Sequence, residues 1–287
     1  MRLRALAKIN LGLDILGKRE DGYHEVKMIM QTIQMYDVLE LHKKKEPGIS
    51  LTVNVPFIPT DERNLVYRAA AMLMEEFHVQ EGLSIRLDKF IPVAAGMAGG
   101  SSDAAAAFVG VNKLFHLGLS QKELMERAVK VGADVPYCIM RGTALAEGIG
   151  EKLTALPPVP PCYVLIGKPA VSVSTKMAYE NLNLETIKKH PDIDGMILDI
   201  ENGNLKKMTE KMANVFEPGI IREYPVIQEI KDFMEEKGAL RAMMSGSGPT
   251  VFGIFDDREK MERAAEALRA GELAKTVFAT EVFNRRV

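Results

Sequence analysis

The sequence has 287 residues, of which 47% are hydrophobic and 26% charged, with a formal net charge of -2. That length supports two compact lobes or one large α/β domain, and the near-neutral balance gives no electrostatic reason to expect nucleic acid as a partner. No apolar run near the N terminus reaches membrane-spanning length, so no signal peptide or membrane helix is read and the cytoplasm is the expected location.

In chain order, Leu3, Ala5, Ala7, Ile9, Leu11 and Leu13 alternate with Arg4, Lys8, Asn10 and Gly12. This period of two predicts a half-buried strand over 3–13 with Lys8 and Asn10 on one face. Further strands are expected over 32–44 and 49–55, separated by the turn signal Glu46-Pro47-Gly48, and the spacing over 64–79 is helical. A strand over 83–91 then runs into a glycine-rich segment, after which 101–118 reads as a helix whose first turn carries Ser101, Ser102 and Asp103. A second helix is read over 120–132. The prolines between 157 and 169 read as a hinge, which puts the expected boundary near residue 155, with lobes 1–154 and 155–287. Beyond it a helix over 224–238 and strands over 250–255 and 275–283 give a mixed α+β lobe. Cys138 and Cys162 lack partners at ligand spacing and read as buried thiols, not as a disulfide or zinc site.

The segment "PVAAGMAGGSSDAAA", residues 92–106, needs an explanation for its missing side chains. Either it is a tight turn that packs closely, or its backbone is brought against a ligand. A glycine loop feeding a helix offers unpaired N–H groups at the positive end of the helix dipole, which suits phosphate. It is neither a Walker loop, since no Lys follows the glycines, nor the dinucleotide fingerprint.

Other residues have two readings. Asp134 in "GADVPYC" is a helix N-cap or a carboxylate for catalysis, and Asn64 caps the helix after it or lines a ligand. Tyr23 and His24, after an Asp21-Gly22 turn, are surface residues or a ligand grip. "SGSGPTVF", residues 245–252, is at least a glycine turn before a strand.

Taken together, "AKINLGLDILGKREDGYHE", "PVAAGMAGGSS" and "MMSGSGPTVFGIF", in that order, resemble the motifs of the GHMP kinases, the family of galactokinase, homoserine kinase and mevalonate kinase. The resemblance spans nearly the whole chain. It implies an α+β, two-lobed GHMP-kinase-like fold with the active site in the cleft between lobes, and ATP-dependent phosphorylation of an alcohol. The motif set is most similar to a branch that serves isoprenoid precursor synthesis, whose alcohol substrate carries a cytidine diphosphate.

By the same resemblance Lys8 and Asp134 form the catalytic pair. Pro92, Val93, Ala94, Ala95, Gly96, Met97, Ala98, Gly99, Gly100, Ser101 and Ser102 form the ATP-phosphate loop, and Asn64 lies beside adenine. Asn10, Tyr23, His24, Thr175 and Tyr179 contact the substrate, with Tyr23 and Tyr179 on the base and Thr175 near the diphosphate. Gly246 and Gly248 lie under the phosphate loop. Mg2+ is expected with ATP, with Ser101, Ser102 or Asp103 as candidate contacts and no acidic metal ligand evident. The sequence does not give the oligomeric state. A relative acting on homoserine or mevalonate, and a binding protein that kept the fold but not the chemistry, are the alternatives; retention of Lys8 and Asp134 argues against the second.

Overall fold

The first strands run past their expected ends, and the first, expected to be half-buried, is buried on both faces over residues 5–15. In the computed structural model, which describes residues 1–182, 184, 187 and 190–284, β1 is Arg2–Lys18 and β2 is His24–Lys44, joined as a hairpin by the Asp21-Gly22 turn. Gly22 adopts φ +86°, which a residue with a Cβ reaches only with strain. Each long strand contributes one part to each of two compact units. The first unit comprises Met1–Ala7, Met35–Val93 and Ala98–Met140; the second comprises Lys8–Gln34, Ala94–Met97 and Arg141–Val287.

In the first unit the C-terminal half of β2 pairs antiparallel with β4 (Gly82–Asp88), and β3 (Ile49–Val53) pairs parallel with β4. Helices α1 (Leu65–Glu76) and α2 (Gly99–Leu114) pack on each other, with α3 (Gln121–Ala128) and α4 (Val135–Met140) next in the chain. The small residues Ala69 and Ala70 of α1 and Ala104 to Ala107 of α2 are buried. Small side chains let helices approach closely. Leu39, Leu41, Leu83, Ile85, Leu87, Leu73 and Phe108 fill the core, each adding ~1.5–3 kcal/mol by leaving water. The α3 start has the Ser120–Glu123 capping box that its sequence encodes.

In the second unit the N-terminal half of β2 pairs with β5 (Thr143–Gly148), which pairs with β6 (Lys152–Ala155). A separate four-stranded antiparallel sheet has the order β10-β7-β9-β8: Thr276–Glu281, Tyr163–Lys168, Val251–Phe255 and Arg241–Met244. Helices α5 (Thr175–Glu180), α6 (Ile193–Glu201), α7 (Leu205–Glu210), α8 (Glu217–Glu223), α9 (Val226–Glu236) and α10 (Arg258–Ala270) complete it. Two glycines set the layer spacing. A Cβ on Gly167 of β7 would stand 2.9–3.1 Å from Met234 and Ile230 of α9 and Leu268 of α10, and one on Gly12 of β1 would stand 2.7 Å from Ile193 of α6.

This division differs from a single boundary near residue 155. The proline-rich stretch connects β6 to β7 inside the second unit, and the chain passes into that unit for good at Arg141. The physical reason is strand length, since Val26–Gln31 of β2 pair with β5, and residues 8–34 group with Arg141–Val287 instead of staying with the rest of the N-terminal half. Both cysteines are buried thiols, and burial pushes Cys162 up to about 12, so it is inert.

Candidate active site

The glycine segment is a loop with three left-handed residues, Ala94 (φ +50°), Gly96 (φ +75°) and Ala98 (φ +53°), running into α2. Ala98 is the N-cap and no side chain caps the helix there. The first-turn N–H groups are thus left to another partner, as an anion site requires. Pro92 is half-buried, and Val93, Ala94 and Gly100 are exposed, while Ala95 and Met97 anchor the loop by burial. Ser101 is half-buried. Ser102 is turned inward, and its hydroxyl donates to the Leu6 carbonyl at 2.5 Å.

Lys8 and Asn10 share a face of β1, as the period of two predicts, and the Lys8 ammonium donates to Asn10 Oδ1 at 2.7 Å. It also donates to the Gly96 carbonyl at 3.2 Å, and Lys8 N–H reaches the Met97 carbonyl. Gly96 O accepts a second bond, from Ser245 Oγ at 2.9 Å. The glycine turn 245–248 lies directly against the loop. A Cβ on Gly96 would be 2.0 Å from Ser245 O, and one on Gly246 would be 3.1 Å from Gly96 O. The first, N-terminal motif therefore meets the glycine loop and the late glycine motif at one carbonyl. Asn10 is fully buried, with its oxygen accepting from Lys8 and its nitrogen donating to Met28 Sδ at 3.2 Å.

A group of charges that the sequence reading did not connect lies in the first unit. Lys89 donates to Asp103 Oδ2 at 2.7 Å and to Asp37, and all three side chains are buried. Asp37 also accepts the N–H groups of Phe90 and Ile91. Asp103 Oδ1 has no partner. Burial and the Asp37 charge push the Asp103 carboxyl well above the usual carboxylate range, although Lys89 pulls the other way. Burial lowers Lys89, but Asp103 and Asp37 outweigh it and hold the ammonium above its ordinary value. Gly99 sits close by, because a Cβ there would be 3.1 Å from Lys89 Nζ and from Ile91 Cγ2.

Of the magnesium candidates, Ser102 is buried with its hydroxyl on Leu6 O, and Asp103 is buried with one oxygen on Lys89, so neither fits a metal-ligand role, while Ser101 is half-buried; among the described residues no three His, Cys, Asp or Glu side chains gather to hold a metal ion.

At the other motif, His24 and Tyr179 stack with ring centroids 5.0 Å apart, and Tyr179 meets Phe216 edge-on at 4.9 Å. Burial, aided by Lys18, lowers His24 below its ordinary value, so the imidazole is neutral at pH 7 and offers one donor and one acceptor. Tyr23 is 60% exposed, beside the turn that its N–H helps to close onto Asp21. Thr175, the first residue of α5, shares a hydrogen bond with Ser247 at 2.9 Å. Asp134 immediately precedes α4 in the first unit, and its carbonyl accepts the Cys138 N–H. Asn64 is the N-cap of α1. Its oxygen accepts Val66 N–H at 2.9 Å and its nitrogen donates to Pro59 O at 2.7 Å.

Residues 64–142 match the GHMP kinases N terminal domain and residues 196–272 match the GHMP kinases C terminal domain. The chain belongs to the GHMP kinase family and is an enzyme of that class. Among curated relatives, the 4-diphosphocytidyl-2-C-methyl-D-erythritol kinase of Lachnospira eligens is 53% identical over 284 residues, covering 99% of both chains. The kinase of the same name from Clostridium perfringens is 47% identical over the same share of each. A crystal structure of 4-(cytidine 5'-diphospho)-2C-methyl-D-erythritol kinase superposes with a TM-score of 0.84 at 31% identity, covering 98% of this chain and 99% of that one. The mevalonate kinase of L. major shares the fold at 16% identity, with a TM-score of 0.77. Among the described residues, no helix is long and apolar enough to cross a membrane.

Proposed function

We infer that this kinase transfers the γ-phosphoryl group of ATP to the 2-hydroxyl of 4-diphosphocytidyl-2-C-methyl-D-erythritol, a step toward isoprenoid precursors. The observation that carries the substrate is the neutral His24 against Tyr179, an aromatic surface with hydrogen-bonding atoms, in the same unit as Lys8 and Gly96. A plain alcohol such as homoserine or mevalonate has no ring to place there. Exposed Tyr23 supplies a further stacking face, and Thr175 stands by the glycine turn where the diphosphate would pass. The close relatives carry the same substrate in their names.

In the reaction the substrate oxygen attacks the γ-phosphorus, its proton goes to Asp134, and the bond from phosphorus to the bridging oxygen breaks to leave ADP. Lys8 supplies positive charge where negative charge spreads in the transition state. The residues 92–102 place backbone N–H groups on the phosphates, and Asn64 is placed beside adenine by its motif. Mg2+ is expected as the counter-ion of ATP, and no side chain is assigned to it.

The test is ADP release by the purified protein with a panel of alcohols: the cytidine compound, its uridine counterpart, methylerythritol phosphate, homoserine and mevalonate. Turnover should require the cytidine compound. Faster turnover of homoserine or mevalonate would replace this reading with that of another branch of the family.

A further inference from the structure

We propose that Asn214 is a positioning residue for phosphoryl transfer, holding the turn under the phosphate loop in register with the aromatic surface proposed to grip the base. Its side chain is buried, and every polar atom of its amide is used. Nδ2 donates to both Met244 O and Gly246 O at 2.8 Å, the two carbonyls that frame the glycine turn, while Oδ1 accepts the Phe216 N–H at 3.0 Å. Phe216 is the ring that backs Tyr179, and Gly246 is the residue pressed on Gly96.

The backbone around Asn214 is fixed as well. Leu13 N–H donates to Ala213 O and Val215 N–H to Leu13 O, so residues 213–215 run beside the same strand that carries Lys8. One amide therefore stands between two chains of contact. Towards the chemistry the path is Gly246, Gly96 and Lys8; towards the base it is Phe216, Tyr179 and His24. All of these residues belong to the second unit. The packing at Gly96 is close enough that a shift of the turn by a few tenths of an ångström must move the carbonyl on which Lys8 rests. The sequence gives no motif for Asn214, whose meaning lies in contacts 30 and 32 residues away.

The inference rests on the substrate reading above, and the test separates the two. Asn214→Asp keeps the shape and the acceptor for Phe216 but cannot donate to either carbonyl. Its kcat should fall by ~10- to 100-fold, the range for misplacing catalytic groups by about an ångström. KM for the cytidine compound and for ATP should stay near wild type. Asn214→Ser, too short for either set of bonds, should lower kcat and also raise KM for the cytidine compound. Because the effect passes through the turn, the kcat losses of Asn214→Ser and Ser245→Ala should not multiply in the double variant.

Rates are referred to the folded fraction, counted by ligand-protected titration. Wild-type kcat in folded Asn214→Asp, multiplicative losses in the double variant, or failure of both single variants to fold would each overturn the proposal, the last by showing a purely structural role. If the wild type prefers another alcohol, the substrate reading falls while the kcat effect, measured with that alcohol, still decides for or against Asn214.

Discussion

Replacing Asp103 by Asn is predicted to leave the protein as stable or more stable at pH 8, although it removes one member of a buried ion pair. The group holds two carboxylates and one ammonium, with Asp103 only 2% exposed and one of its oxygens unpartnered. A charge-assisted hydrogen bond contributes ~1.5–3 kcal/mol, while desolvating the ion costs several kcal/mol, and Asp37 adds repulsion. The upward direction of the Asp103 pKa says that the second effect wins. The native state thus keeps a proton that the unfolded chain releases, so this group destabilises the fold as pH rises from the ordinary Asp value of about 3.9 towards its higher native value. Asn cannot release a proton. Denaturant unfolding at pH 5, 6.5 and 8, monitored by circular dichroism, should show Asp103→Asn gaining on the wild type as pH rises above the ordinary Asp value. Lys89→Met, which leaves the buried Asp37 carboxylate without its cation, should lose ~3–5 kcal/mol. A loss of about 3 kcal/mol or more in Asp103→Asn, equal at all three pH values, would mean that Asp103 is ionised and well paired, and would refute the reasoning.

Asp134→Asn should lower kcat by roughly two to four orders of magnitude in the ADP-release assay, with KM changed little, because a general base is lost. Gly100→Ala should fold normally, since its Cβ would meet only Leu65 at an ordinary 3.7 Å, yet calorimetry should show weakened ATP binding if phosphate approaches that backbone. Gly96→Ala, by contrast, should destabilise the protein in thermal melts, because its Cβ would strike Ser245 O and the residue holds φ +75°. KM for the cytidine compound should be flat above pH 7 and rise as pH drops below the ordinary histidine value of about 6.5, where the neutral His24 becomes charged; His24→Gln should abolish that rise.

Much of the site could be read where the signal is local. Period-two alternation put Lys8 and Asn10 on one face, and their side chains are bonded; Asn64 caps α1, and the glycine segment opens α2. What stayed hidden depends on contacts between distant residues. Lys89 and Asp37 look like solvated charges in sequence, and only folding across 52 residues makes them a buried pair. Ser245 and Gly96, 149 residues apart, give no pattern by which a shared hydrogen bond could be foreseen. Asn10, 18 residues from Met28, bonds it through a contact that no local pattern encodes. The prolines after residue 156 mark a change of direction between β6 and β7, within the second unit.

The interleaving of the two units along the chain gives the ribosome an unusual order of events. Every residue of the first unit has been synthesised once residue 140 is made, so that unit can begin to fold while translation continues. Residues 8–34 and 94–97 are made early yet belong to partners that come later. At ~5–20 residues per second they wait on the order of ten seconds for the remainder. Among them are Lys8, Asn10, His24 and Gly96, so residues made early become the last to be organised. Chaperone demand should therefore fall on the early apolar strand residues Ile9, Leu11, Leu13 and Ile15, which are buried in the finished protein and wait for the later part of their unit.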